Sequence, residues 1–465
     1  MQKRYFVHTF GCQMNEHDSA RMGESLARAG WVATESAERA DLVLINTCAI
    51  REKAEDKLYS ALGRYKIVKA QRGARIGVSG CVAQQEKEAL LERAPYVDFV
   101  LGPDQIARVA DLAERGGVET GWVPSEEYVF PQADPESARG KATAFVTAMK
   151  GCDNVCSFCV VPHTRGREVS RPYAEIVREV AALAGVGVRE VTLIGQNVNS
   201  YAGGCTFAQL IRRVAAVPGV RRIRFTTSHP MDLSPELIDC FREVPELMPH
   251  FHLPVQHGAD SVLERMRRRY TVAQYEERVA SLLAACPGVA LTSDIICGFP
   301  GETDAEHELT LALLRRIPYD NLFSFLFSER PHTAAALRLA KERAAAAPSP
   351  EWAEVPRAVA TRRLEQVQRL QQARTLQRHR ARVGEEVEVL VESARTPPGV
   401  PGERFGRSRE NWTVHFAGAC GVGDTVRVRV ERASLVALVG TEVDVLEAAT
   451  HRTPAARTRL AVVSA

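Results

Sequence analysis

At 465 residues, 45% apolar and 25% charged, the chain has an ordinary globular composition and exceeds what one hydrophobic core serves, so two to four domains are expected. A disordered or collagen-like protein is excluded, and a formal net charge of +3 is too small to announce a nucleic-acid binder, so any basic surface must be local. No stretch approaches the roughly 18 consecutive apolar residues of a spanning helix, and the start, MQKRYFVHTFGCQMNE, turns polar too soon for a secretory leader.

The expected compartment is therefore the cytosol, with no membrane partner. In that reducing setting eleven cysteines read as metal ligands, catalytic thiols or packing residues rather than as a disulfide framework.

Over residues 1–115, strand-like RYFVHTF, DLVLIN, ARIGVSG and VDFVLG alternate with helical stretches, a βα repeat that predicts an open parallel sheet. Cys12, Cys48 and Cys81 each follow one of these strands, 36 and 33 residues apart. Open α/β sheets bind ligands outside the carboxyl ends of their strands, so the three thiols can converge although helices separate them. The alternative is three unrelated packing cysteines.

Residues 116–141 carry three prolines and little periodicity and read as a linker. Over 142–356, AFVTAMK, EVTLIG, RIRFTTS, HFHLPV, VALTSDII and NLFSFLFS recur between helical segments. Six βα units suggest a partial (β/α)6 barrel, with chemistry at the strands' carboxyl ends and one side open to a bulky substrate. The first strand delivers GCDNVCSFC, with Cys152, Cys156 and Cys159. A zinc site would want a fourth ligand, for which His163 is the nearest candidate. Three cysteines on a four-iron cubane leave the fourth iron open, which suits a site that binds a small molecule. Cys205, Cys240, Cys286, Cys297 and Cys420 lack motif spacing and read as packing residues.

Residues 357–379 form a basic helical connector; eight arginines stand between 357 and 382 against the single Glu365, a phosphate-binding face or a solvated one. Over 380–441, EEVEVLVES, ENWTVHFAG and DTVRVRVERASLVALVG alternate with period two and predict a small antiparallel β-barrel. Residues 442–465 read as a flexible tail.

The cysteine motif, with Phe158 before its last cysteine, resembles the signature of the radical S-adenosylmethionine enzymes. FGCQMNEHDS, INTCAIREKAEDK, SGCVAQ, LIGQNVNSY, RFTTSHPMDL, HLPVQHGADSVLERM and DIICGFPGET extend the resemblance over residues 3 to 441, to the methylthiotransferases of that superfamily, and most to those acting on isopentenyladenosine in tRNA. The resemblance implies two 4Fe-4S clusters, on Cys152, Cys156 and Cys159 and on Cys12, Cys48 and Cys81, with S-adenosyl-L-methionine as cofactor. It also implies tRNA as substrate, and an electron donor protein and a sulfur source as partners of a monomer.

Glu168 and Arg171 are the candidates for the polar ends of S-adenosylmethionine, the alternative being surface salt bridges. Gln196 and Asn197 follow a strand and face the barrel mouth, to bind ribose or adenine or else to cap a loop, and Asp294 suits an adenine-binding strand end. The carboxy-terminal barrel resembles the TRAM RNA-binding module, with Arg374, Arg378, Arg409 and Trp412 as candidate RNA contacts, the aromatic being core otherwise. Phe327 and His332 stand where the family commonly shows a tyrosine and a glycine. Two readings compete: a methylthiotransferase acting on threonylcarbamoyladenosine or a ribosomal-protein aspartate, and a non-catalytic zinc RNA-binding protein.

Overall fold

The structure is a computed structural model that describes residues 2–49, 52–393 and 402–449. Six strands, β1 (Arg4–Phe10), β2 (Val32–Ala33), β3 (Leu42–Thr47), β4 (Arg75–Gly80), β5 (Phe99–Leu101) and β6 (Gly117–Glu119), make one parallel sheet in the order β2-β1-β3-β4-β5-β6. Helices cover both faces, which is why LVLINT is buried at every position instead of alternating. Val43, Ile45, Ile76 and Val78 pack on one side beneath the helix Glu52–Arg72, through its Leu58, Leu62 and Val68. Leu42, Leu44 and Phe99 pack on the other beneath Met22 and Leu26 of the helix Gln13–Arg28. Just beyond residue 115, β6 pairs with β5 at the sheet edge, and its three residues are too few to show a period in sequence.

All six expected barrel strands are present: β7 (Thr143–Thr147), then, beyond the short antiparallel pair β8 (Met149–Lys150) and β9 (Val169–Ser170), β10 (Glu190–Ile194), β11 (Arg222–Phe225), β12 (His250–His252), β13 (Ala290–Cys297) and β14 (Asn321–Leu326). They form two parallel three-stranded sheets, β11-β10-β7 and β12-β13-β14. A parallel bridge from Ile223 to Leu247 and the Met248 N–H donating to the Ile223 carbonyl (3.0 Å) join the two. One continuous core, from Val146 through Phe225 and Phe251 to Leu291, fills the arc.

The helix Arg357–Arg380 follows, burying Ala360, Arg363, Val367, Gln371, Thr375 and His379, a stripe at steps of three and four. Arg363 pairs with the buried Glu302 carboxylate (3.2 Å), which His257 and His307 also engage; these partners outweigh burial and hold Glu302 down at about 2. The last five strands, β15 (Glu386–Ser393), β16 (Glu403–Ser408), β17 (Thr413–Ala417), β18 (Thr425–Ala433) and β19 (Leu438–Glu447), close a barrel in the order β15-β16-β17-β19-β18. Two expectations are corrected here. The β17–β19 pairing is parallel, so the barrel is not wholly antiparallel, and β19 runs to Glu447, beyond the limit set at 441. The rest of the expected tail, from residue 450, lies outside the described residues.

The small barrel docks on the large one through buried arginines of β11. Arg224 donates to the carbonyls of Ser408 (2.7 Å) and Arg409 (2.9 Å) and pairs with Glu190 (3.0 Å), while Arg222 donates to the Arg407 carbonyl and to Glu388, each at 2.9 Å. Removing one partner of a buried ion pair costs on the order of 3 kcal/mol. Arg224→Ala is therefore expected to lower the thermal midpoint and to open the chain near residue 380 to limited proteolysis, while conservative Arg222→Lys should change both less.

Candidate active site

The amino-terminal cysteines leave three adjacent strands at one edge. The register aligns Phe10 of β1, Thr47 of β3 and Gly80 of β4, and Cys12, Cys48 and Cys81 follow within two residues. Gly11 turns the chain at φ +133°, and a Cβ there would lie 2.5 Å from that of Cys48, so glycine is required for the two cysteines to approach. The Asn15 side-chain amide donates to Asn46 Oδ1 (2.9 Å) and Asn46 donates back to the Asn15 carbonyl (2.8 Å), a buried brace beneath the thiols. Hydrogen bonding from Cys48 pulls the Cys81 and Cys12 thiols down against burial and pushes Cys48 up.

The second set sits on the loop after β8. The Cys152 N–H donates to the Gly166 carbonyl (3.2 Å), the Cys159 N–H to the Cys156 carbonyl (3.1 Å), and the Ser157 N–H to the Met266 carbonyl (2.9 Å), which ties the loop to the opposite half of the barrel. Gly151 at φ +73° passes so close to the Arg167 carbonyl that a Cβ would lie 1.9 Å away. Burial pushes the Cys159 thiol up to about 12 and raises Cys152. Bare thiolates are thus disfavoured at these two positions, and coordination to a metal is what would ionise them.

Each set has one buried guanidinium on a cysteine sulfur. Arg165 Nε donates to Cys81 (3.4 Å) while its Nη1 pairs with Asp18 (2.7 Å), and Arg268 Nη1 donates to Cys156 (3.2 Å). Neither was a sequence candidate, and Arg165 belongs to the helix Val161–Arg165 on the other side of the domain boundary from Cys81. Three thiolates on a cluster carry negative charge, and an adjacent buried cation compensates it. The donor sets fit iron–sulfur clusters in chemistry and charge. Among the described residues no three or more His, Cys, Asp and Glu side chains are arranged to hold one metal ion. A multi-iron cluster takes its ligands one per iron, so its thiolates need not share an ion.

The expected cofactor residues divide. Glu168 accepts from the Ser200 hydroxyl (2.5 Å), the Gln196 amide oxygen accepts from the Gly151 N–H at the head of the cysteine loop, and Asn197 donates to Asp232 (2.8 Å) with its own Oδ1 buried and unpartnered. Burial raises the Glu168 carboxyl. These three meet beside the loop at the end of β10. Asp294 lies on β13, 3.6 Å from His252 Nε2, across the barrel. Arg171 does not join them: it is fully buried, its guanidinium on Glu179 and Glu175, bracing the helix Tyr173–Gly185.

The candidate RNA contacts have partners within the chain. Trp412 is 8% exposed in the core of the small barrel. Arg374 caps the carbonyls of Leu314, Arg315 and Ile317, Arg378 pairs with Asp320 (2.8 Å), and Arg409 donates to the Pro245 carbonyl (3.4 Å) beside Glu388. The three arginines thus tie the connecting helix and the small barrel to the large one.

Comparison with known proteins places this architecture. A family profile described as Radical SAM superfamily matches residues 146–314, and one described as Uncharacterized protein family UPF0004 matches residues 4–102. The tRNA-2-methylthio-N(6)-dimethylallyladenosine synthase of Anaeromyxobacter sp. (strain K) is 61% identical, over 94% of this chain and 94% of its own. The chain belongs to the tRNA-2-methylthio-N(6)-dimethylallyladenosine synthase family. The family member of Myxococcus xanthus is 58% identical over 96% of this chain and 95% of its own, and that of Geobacter metallireducens 45% over 94% and 98%. Among solved structures, a radical S-adenosylmethionine methyltransferase from Kitasatospora setae, with cobalamin and a [4Fe-4S] cluster bound, superposes with a TM-score of 0.55 at 16% identity, over 75% of this chain and 80% of that one, a likeness of fold. As a family member the chain is a radical SAM enzyme, which uses S-adenosylmethionine and an iron–sulfur cluster. No described helix is long and apolar enough to cross a membrane.

Proposed function

We propose that this enzyme methylthiolates carbon 2 of isopentenyladenosine beside the anticodon of tRNA, by radical sulfur insertion and methyl transfer. The observation that carries the reading is the identity of about three residues in five, over nearly the whole chain, to relatives that bear this activity in their names. With its cluster bound, the barrel site supplies reductive cleavage of S-adenosylmethionine to a 5′-deoxyadenosyl radical. Cys152, Cys156 and Cys159 would hold that cluster, and Cys12, Cys48 and Cys81 a second one that carries the sulfur. Glu168, Gln196, Asn197 and Asp294 orient S-adenosylmethionine: Glu168 and the unpartnered Asn197 oxygen offer acceptors to its ammonium and hydroxyl groups beside the cysteine loop. An electron donor protein and a sulfur source complete the system.

Expression in a strain lacking its own methylthiotransferase tests the reading by mass spectrometry of tRNA nucleosides. Isopentenyladenosine should convert to its 2-methylthio form. Methylthio product on threonylcarbamoyladenosine, or on a ribosomal-protein aspartate alone, would contradict it.

A further inference from the structure

A cleft of about 260 Å³ opens between the helix that starts at Cys81 and the helix Val161–Arg165 that follows Cys159, so each wall continues from one cysteine set. Gln84, Gln85 and Lys87 line one wall and His163 the other, with Trp122 from the linker and His332 from the loop after β14. None of the described lining residues is acidic, and Lys87, Trp122, His163 and His332 are all exposed.

Two of these residues hold a backbone conformation that favours glycine: Lys87 at φ 52° and His332 at φ 66°. Such positions cost free energy in a residue with a Cβ and persist only where the surroundings over-determine them. At His332 they do: the Thr333 hydroxyl donates to the Arg330 carbonyl (2.8 Å), and the Ala335 N–H donates to the Ser157 carbonyl of the cysteine loop (2.7 Å). Lys87 is held between two short helices, its N–H on the Ala83 carbonyl (3.0 Å) and its carbonyl accepting from the Leu90 N–H (3.2 Å). The His332 imidazole faces that of His163 at 6.1 Å between centroids. The Trp122 indole rests on Gly166, where a Cβ would come within 3.0 Å of it. Glycine would relieve the strain at both positions, so an ammonium and an imidazole there serve the cleft rather than the fold.

A cation, two imidazoles that donate N–H even when neutral, an indole face and no carboxylate together match an anion attached to a flat ring. We infer that this cleft is a subsite for one nucleotide of the tRNA anticodon arm flanking the modified adenosine, its phosphate held by Lys87 and the imidazoles and its base stacked on Trp122. The inference rests on the tRNA reading above and adds a recognition site to it.

The test is equilibrium binding of isopentenyladenosine-containing tRNA to the full-length, iron-loaded enzyme and to Lys87→Gly, His332→Gly and Trp122→Ala, with thermal midpoints measured alongside. Trp122→Ala should weaken binding about tenfold, the scale of one lost base stack. Lys87→Gly should lower the slope of log affinity against log salt by about 0.7, one phosphate contact on a single strand. His332→Gly should bind more weakly while its thermal midpoint holds or rises, which a residue of purely structural importance would not do. Unchanged tRNA affinity in all three would overturn the inference and leave the functional reading standing, as would a fall in the His332→Gly midpoint with affinity intact. A parent enzyme that neither binds nor methylthiolates the tRNA would overturn both.

Discussion

Replacing Cys12, Cys48 and Cys81 together by Ala should leave reductive cleavage of S-adenosylmethionine near the parent rate and abolish methylthiolated product. The three cysteines stand on a sheet with its own two-sided core, so their loss need not disturb the barrel. The loop with Cys152, Cys156 and Cys159 is anchored elsewhere, through the Ser157 N–H on the Met266 carbonyl and the Ser157 hydroxyl on the Arg265 carbonyl (2.7 Å). With reductant and isopentenyladenosine-containing tRNA, the variant should release 5′-deoxyadenosine without 2-methylthio nucleoside, both followed by mass spectrometry. Methylthio product at the parent rate would make the second set structural only. A well-folded variant that cannot cleave S-adenosylmethionine would show that the two sets do not act separately.

The second large effect belongs to Arg165. Its guanidinium joins the helix that follows the cysteine loop to Cys81 of the other domain and neutralises Asp18, and all three residues are buried. Arg165→Ala leaves the Asp18 carboxylate without its cation, a loss on the order of 3–5 kcal/mol for a buried pair. Thermal unfolding should register this, and iron should be lost from the amino-terminal set while the barrel set keeps its own. Arg165→Lys keeps the charge but lacks the planar fork that reaches sulfur and carboxylate together, so it should fall between. Arg167, two residues on, pairs with Asp153 at the surface with 83% of its side chain exposed, and its replacement by Ala should change little. Equal, small effects at Arg165 and Arg167 would remove charge compensation from the account.

Much of this was legible because the chemistry lies where strands end. Cys12, Cys48 and Cys81 each follow an apolar run, and in a parallel sheet such positions meet whatever the helices between them contain. The six barrel strands could be counted for the same reason. Arg165 and Arg268 could not be found this way, since their sulfur partners lie 84 and 112 residues distant and one arginine in PHTRGR or RMRRRY looks like the next. Composition does not show the partners of Arg374 and Trp412. A basic helix and an aromatic in a β-barrel suggest RNA, yet the helix turns Arg363, Arg374 and Arg378 toward carbonyls and carboxylates of the barrel, and Trp412 fills a core. Arg171 likewise pairs with Glu179, a partner that the motif TRGREVSR does not show. The β17–β19 pairing escaped because alternation sets which face a strand buries but not its direction relative to a neighbour.

Iron and acid-labile sulfide in the anaerobically reconstituted protein test the division into two cysteine sets most directly. About eight irons per chain are expected, falling to about four when either Cys12, Cys48 and Cys81 or Cys152, Cys156 and Cys159 are replaced by Ala. About four irons in the parent, lost entirely with either triple substitution, would mean one shared cluster and contradict that division.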